Sequence, residues 1–463
     1  MEIKPLYDVV GMFGYFFDSE AELLAFQKQN KLDYNNKRYF FKIDGDYFEY
    51  SFLNSTNKIS TTQIKNYLSP ILPYWIKDNQ NFDRIIEHNY NSLLPHTAEI
   101  IPTLNCCFRC EQCSNKEPKK QLDLWERKLY NRSEYYHMNA ETVKIIIDKL
   151  SATKVKNIVF TGGGEPLLNS DVTLFGMEYA KRQKMNVGLY TNGMFISSIF
   201  LEKIKIINPL FIRISIYGLD EVSFANYTSS NKENYSKILS NVKNLLKLKI
   251  EKQIDTAISI SFLVHPVLFP DDKKICDFFE IEFNKNELKH FSTIRFTPAV
   301  DYYNNEQHEK NFFDKIFNQV DNLTKKYKDI TNIVSYSHRY KDLYSKKIYD
   351  QCRANGLYAE ISPNGNMYLC CEKLFNDAYY IGNILQNSIE EIYSSNLRIN
   401  VIDTVNKTNC MDCPTLCKPH EINKQINLIE HIDKQQILEW RKELLVSASD
   451  KPYFSGNLNA FES

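Results

Sequence analysis

The sequence predicts an α/β protein: a partial (β/α)6 TIM-like barrel with an N-terminal α+β appendage and a cysteine-rich C-terminal domain. Three observations predict it. From residue 97 short apolar strands alternate six times with amphipathic helical stretches, the pattern of parallel strands covered by helices. Residues 1–94 read differently, as a turn-linked hairpin between helical stretches. From about residue 350 the periodicity is lost and cysteines cluster. The expected divisions are 1–94, 95–330, 331–420 and a helical tail, 421–463.

The barrel strands are expected at 98–104, 157–162, 186–191, 211–217, 257–264 and 293–299. Helices are expected at 139–151, 172–184, 197–206, 231–249, 271–286 and 306–328. In the first of these Val143, Ile146, Ile147 and Leu150 share one face, the spacing of a core-facing helix. Six repeats make an incomplete barrel, whose chemistry belongs at the carboxyl ends of the strands. Residues 114–138 form a charged and aromatic insertion long enough to be functional or mobile. In the appendage, helices are expected near 19–30 and 61–77, and a hairpin at 38–53 around Asp44-Gly45. The tail carries a helix at about 421–446.

Lys plus Arg equals Asp plus Glu, 57 each, which gives no reason to expect nucleic acid or an anionic membrane as partner. No apolar run approaches the roughly 20 residues of a membrane span. The apolar start is interrupted by Asp8 and has no basic leader, so a cytoplasmic compartment is expected. Ten of the eleven cysteines fall in clusters: 106, 107, 110 and 113; 352, 370 and 371; 410, 413 and 417. In a reducing compartment such clusters argue for metal ligation rather than disulfides.

Cys106, Cys110 and Cys113 form a CxxxCxxC set just after the first strand. Thiolates suit iron–sulfur clusters and zinc, and three of them on a four-iron cluster leave one iron open. The second strand ends in Thr161-Gly-Gly-Gly-Glu165-Pro166, the third in Tyr190-Thr-Asn-Gly193, and the fourth carries Ser215. With these motifs in this order, residues 97–420 resemble the radical S-adenosylmethionine (SAM) superfamily. The resemblance implies a [4Fe–4S] cluster on Cys106, Cys110 and Cys113. SAM would chelate the open iron and be cleaved reductively to a 5′-deoxyadenosyl radical. It further implies that Gly163, Gly164 and Glu165 meet the methionine amino group, that Asn192 belongs to the cofactor site, and that Ser215 meets a SAM hydroxyl. Arg213 is expected on the opposite face of the sheet. The chain departs from the family in having Gln112, not an aromatic residue, before the third cysteine. Cys107 reads as a packed bystander. Tyr217, His265 and Arg295 lie near strand ends, with His265 read as a turn residue before Pro266.

The second constellation, Cys352, Cys370, Cys410, Cys413 and Cys417, resembles the SPASM/Twitch extension, which carries auxiliary [4Fe–4S] clusters. The full form holds two clusters on seven cysteines; six are present here if Cys371 is counted. One auxiliary cluster on Cys352, Cys370, Cys410 and Cys413 is therefore expected. Cys417 is an alternative to any of these and Cys371 to Cys370; structural zinc is the other metal such a set takes. Pro363-Asn364-Gly365 marks a hairpin turn. The resemblance implies an enzyme that abstracts hydrogen from a substrate, preferably a peptide or protein undergoing maturation, fed by an electron donor such as flavodoxin or ferredoxin. A sugar, aminocyclitol or nucleoside is the runner-up substrate. A non-catalytic zinc or iron–sulfur regulator is the alternative of a different class.

Overall fold

The computed structural model describes residues 80–115, 137–153, 155–271, 274–300, 310–335, 349–407, 413–414, 416–430 and 434–447, with single positions 343 and 347. Before these it describes residue 21 and five strands: β1 (Lys4–Tyr7), β2 (Phe13–Phe17), β3 (Lys37–Ile43), β4 (Asp46–Tyr50) and β5 (Thr56–Ile59). The expected helices at 19–30 (beyond residue 21) and 61–77, and most of the 114–138 insertion, lie outside the described residues. The five strands form one sheet in the order β1-β2-β3-β4-β5. The expected hairpin is β3 paired antiparallel with β4, Ile43 opposite Asp46.

The second sheet is built on parallel strands β6 (Thr97–Ile100), β7 (Asn157–Phe160), β8 (Asn186–Thr191), β9 (Phe211–Ile216), β10 (Ala257–Val264) and β11 (Phe291–Pro298). These are the six strands that the apolar pattern marks. β12 (Ile333–Ser335) adds a parallel partner to β11, which carries the barrel layer beyond residue 330. At the other edge β13 (Tyr358–Ile361) runs parallel to β6, and β14 (Asn366–Tyr368) and β15 (Tyr380–Asn383) follow antiparallel. The order β12-β11-β10-β9-β8-β7-β6-β13-β14-β15 has two edges, so the barrel is open, and the cysteine-rich segment continues its sheet. β12 and β13 are too short to announce themselves as apolar runs.

The helices are α1 (Phe82–Ile86), α2 (Ala140–Ala152), α3 (Ser170–Arg182), α4 (Ser198–Ile207), α5 (Glu221–Thr228), α6 (Glu233–Ile250), α7 (Lys274–Glu282), α8 (Lys285–His290), α9 (Lys310–Tyr327), α10 (Ile389–Tyr393), α11 (Asn396–Lys407), α12 (His420–Ile429) and α13 (Lys434–Ser447). Their boundaries have side-chain causes. The Asn139 side chain accepts from Thr142 N–H at 2.8 Å and starts α2. The stretch expected as one helix at 271–286 is two, because Asn284 and Glu287 form a reciprocal capping box that opens α8. The tail helix is likewise divided into α12 and α13. Among the described residues no helix is long and apolar enough to cross a membrane.

The strands have two unlike faces. In β9, Ile212, Ile214 and Ile216 are buried in the apolar layer beneath the helices, each worth about 1.5–3 kcal/mol for full burial. The alternate residues line the inside of the barrel. Their register puts Arg213 beside Tyr190 and Ser259, Ser215 beside Ser261, Ser261 beside Arg295, and Glu99 beside Glu360. Barrel interiors are ordinarily filled with branched apolar residues; this one is lined with hydroxyls and charges.

The junction between the segment before β6 and the cysteine-rich part is held by Arg398, which is fully buried. Its guanidinium donates to the Asn91 and Tyr393 carbonyls at 3.1 and 3.0 Å and to Asn355 Oδ1 at 2.6 Å. Arg398→Met should strand these acceptors and destabilise the protein by about 3 kcal/mol, read as a lowered melting temperature in calorimetry. An unchanged melting temperature would rule the tether out.

Candidate active site

Residues 101–115, following β6, carry the first three cysteines over the carboxyl end of the barrel. Arg109 N–H donates to the Thr228 carbonyl at 2.8 Å and Glu111 N–H to the Tyr227 carbonyl at 3.0 Å, pinning the loop to the end of α5. Cys113 N–H returns to the Cys110 carbonyl at 3.3 Å, closing a turn that brings two of the thiols together. Cys106, Cys110 and Cys113 are half-buried and outside any disulfide. Tyr217, just after β9, lies among them: burial raises its hydroxyl pKa well above the usual range, and Cys110, Tyr227, Cys106 and Cys113 add to the effect. Three cysteines outside any disulfide on one loop are the donor set that a [4Fe–4S] cluster with one open iron requires, although among the described residues no three are drawn together closely enough for a single metal ion.

The glycine turn after β7 is laced to this loop. Gly164 N–H donates to the Thr103 carbonyl at 3.1 Å, and Glu165 N–H to the Asn105 carbonyl at 2.7 Å. A Cβ on Gly164 would lie 2.0 Å from the Asn105 carbonyl oxygen, and one on Gly163 2.9 Å from Leu104 Cδ2. These contacts, in addition to any with a ligand, account for the glycines. The Glu165 side chain is buried and turned inward. It accepts from Leu167 N–H at 3.0 Å, Thr191 Oγ1–H at 2.6 Å and Asn192 N–H at 2.7 Å. Burial pushes its carboxyl up to about 7 against the lowering effect of those bonds. Glu165 thus fastens the end of β8 to the glycine turn. Asn192, held by that bond, directs its amide to Cys107 Sγ at 3.3 Å and towards Cys106 Sγ at 4.0 Å. Cys107 packs against the core as expected, yet its thiol belongs to the site.

Ser215 is half-buried on the inner face of β9. The expectation for Arg213 is corrected. It shares the face of Ser215, because residues two apart in a strand point the same way, and its guanidinium lies 3.6 Å from the Tyr190 ring centroid. Arg295 is buried on the same lining. His265 is a turn residue: its Nδ1 accepts from Val267 N–H at 3.1 Å, and its carbonyl from Leu268 and Phe269 N–H. The aromatic neighbours of the cysteine loop are Phe108 and Tyr217, packed edge to face at 6.4 Å, with Tyr227 stacked on Tyr217 at 5.7 Å. They supply the aromatic surface that Gln112 does not.

A second pocket is lined by Cys352, Cys370, Cys413 and Cys417, with Tyr349, Asn355 and Asn423 among its walls. Asn423 Nδ2 donates to Cys352 Sγ at 3.4 Å. Burial raises the Cys370 thiol pKa strongly; Glu372, Cys413, Cys352 and Cys417 raise it further. Four cysteines on the wall of one pocket are the donor number that one auxiliary cluster takes. Cys371 is absent from the pocket lining; its thiol lies 3.7 Å from Glu372 Oε1, and Glu360 and Lys418 also act on it. Of the expected set, Cys410 lies outside the described residues; Cys417, the expected alternative, is the fourth cysteine among the described residues of the pocket.

The sequence reading missed Thr191 as a partner of Glu165, and missed Glu99, Glu360 and Lys418 altogether. Lys418 Nζ lies 2.5 Å from Glu99 Oε1 and 2.8 Å from Glu360 Oε1. A signal was present: Ala-Glu-Ile occurs at both 98–100 and 359–361, a charge inside an apolar strand each time.

An open parallel barrel with a three-cysteine loop at its mouth, joined to a four-cysteine pocket, defines an iron–sulfur enzyme of the radical SAM type. The sequence model of the Radical SAM superfamily matches residues 100–279, and that of SPASM, an iron-sulfur cluster-binding domain, matches 352–414; the chain is a radical SAM enzyme with a SPASM domain. Its cofactors are a [4Fe–4S] cluster, SAM and auxiliary iron–sulfur. The alternative of a non-catalytic regulator falls with that membership. The chain is 25% identical over 347 residues to the cysteine-type anaerobic sulfatase-maturating enzyme of Clostridium novyi (strain NT), covering 70% of this chain and 84% of that one. Its fold is similar to that of Streptococcus suis SuiB. Bound to S-adenosylmethionine, SuiB gives a TM-score of 0.51 at 13% identity over 88% of this chain and 81% of that one. Bound to precursor peptide SuiA it gives 0.50 at 14% identity, over 82% and 78%.

Three substitutions test the two sites. Gly164→Ala should push the cysteine loop away and reduce iron after anaerobic reconstitution from about eight to about four per chain, two clusters falling to one. Cys370→Ala should also leave about four irons, whereas Cys371→Ala should keep the wild-type content. Equal iron in the two cysteine variants would contradict the pocket geometry.

Proposed function

We propose that this enzyme acts on a peptide or protein undergoing maturation, abstracting a hydrogen atom inside the mouth of the barrel. The observation that carries this reading is the likeness, over most of its length, to an enzyme that matures sulfatases, on a fold similar to that of a SuiB structure containing a precursor peptide. The polar lining of Tyr190, Arg213, Ser215 and Arg295 supports it, because a chamber with such walls suits a substrate carrying amide and carboxylate groups.

When bound, the first cluster and SAM supply the 5′-deoxyadenosyl radical. The chain's own residues hold the geometry. Cys106, Cys110 and Cys113 would hold that cluster, and the glycine turn, through Gly163, Gly164 and Glu165, would face the methionine amino group. Asn192 would steady the thiol side of the loop. Ser215 would offer a hydroxyl to the ribose from the inner face of β9, and Tyr217 and Phe108 would exclude water. Cys352, Cys370, Cys413 and Cys417 would hold one auxiliary cluster. A flavodoxin or ferredoxin supplies the electron in the cytoplasm.

The test is anaerobic incubation of reconstituted enzyme with SAM, reductant and synthetic peptides from candidate precursor or sulfatase sequences. A mass change in the peptide, matched by 5′-deoxyadenosine and absent for Cys106→Ala, is expected. Turnover of a sugar, aminocyclitol or nucleoside with no change in any peptide would overturn the reading.

A further inference from the structure

We propose that Lys418 is a positioning residue that ties the last auxiliary cysteine to the barrel, so that the auxiliary cluster assembles in register with the sheet. The proposal rests on Cys352, Cys370, Cys413 and Cys417 being the auxiliary ligands.

Glu99 of β6 and Glu360 of β13 are direct partners in the strand pair that joins the two parts of the sheet. Both side chains are buried, at 5% and 1% exposure. Like charges side by side on neighbouring strands repel, and buried charge is costly unless paired. Among the described residues the cation that bridges both is Lys418, whose ammonium also sits 4.9 Å from the Tyr358 ring centroid. Three apolar residues of similar volume in the same place are often no less stable. An ion triad kept at such a position is best explained by registry, the use for which buried ionic groups are best attested.

What it registers is given by the chain. Lys418 directly follows Cys417. The described residues between Cys413 and Pro419 belong to no helix or strand. Among the described residues the backbone bonds of Cys417 are local, from its own N–H to the Pro414 carbonyl at 3.2 Å and from His420 N–H to the Cys417 carbonyl at 3.0 Å, while Lys347 Nζ donates to the Cys413 carbonyl at 3.0 Å and the Tyr349 hydroxyl meets Cys417 Sγ at 3.8 Å. The Lys418 side chain therefore links this irregular segment to β6, whose own continuation is the first cysteine loop.

The experiment is iron analysis and EPR of full-length chain reconstituted anaerobically. Wild type and Lys418→Arg should each carry about eight irons, the arginine preserving the bridge between the carboxylates. Lys418→Met should carry about four, losing the auxiliary EPR signal and keeping the signal that changes when SAM is added. Because Lys418→Met leaves two uncompensated carboxylates, the neutral triple variant Glu99→Gln, Glu360→Gln, Lys418→Met is measured beside it. It should fold, by circular dichroism, and still lack the auxiliary signal. Recovery of about eight irons and the wild-type auxiliary signal in the triple variant would overturn the proposal, as would equal loss of both clusters. A wild-type content of about four irons would overturn the auxiliary ligand set itself.

Discussion

The site depends on the contact between the cysteine loop and the glycine turn. Main chain meets main chain there, with Gly164 against Asn105 and no space for a side chain between them. Everything else at the barrel mouth is referred to that contact. Glu165 leaves the turn and holds Thr191 and Asn192; Asn192 in turn addresses the thiols of the loop. The three motifs lie far apart in the chain, but their donors and acceptors form one closed circuit.

This circuit alters the reading of Glu165. A carboxylate at the end of a strand invites assignment as a ligand group, and its backbone neighbours do face the site. Its oxygens also accept from three protein donors. Beside any contact with a ligand, the residue fixes two loops in one arrangement, an instance of supporting contacts orienting the groups of a site.

The parts legible in the sequence were those with a period or a spacing. All six barrel strands followed from apolar runs, and both cysteine sets from their clustering. The pairing of β13 with β6 was not legible, since a four-residue strand such as Tyr358–Ile361 carries no period and its partner lies some 260 residues away. The division at Asn284 was written in the sequence as an Asn-x-x-Glu box but lay within a longer apolar pattern. The choice of Cys370 over Cys371 turns on which of two adjacent side chains faces the pocket, a matter of local backbone that spacing does not encode. Arg213 was misplaced by a slip in parity, which the strand's own alternation corrects.

The joining of β6 to β13 has a consequence for electron traffic. Had the two cysteine-bearing parts been connected only by a flexible linker, the span between their metal centres would fluctuate, and tunnelling rates, which fall steeply with separation, would fluctuate with it. A shared ladder of hydrogen bonds makes that span a property of the sheet.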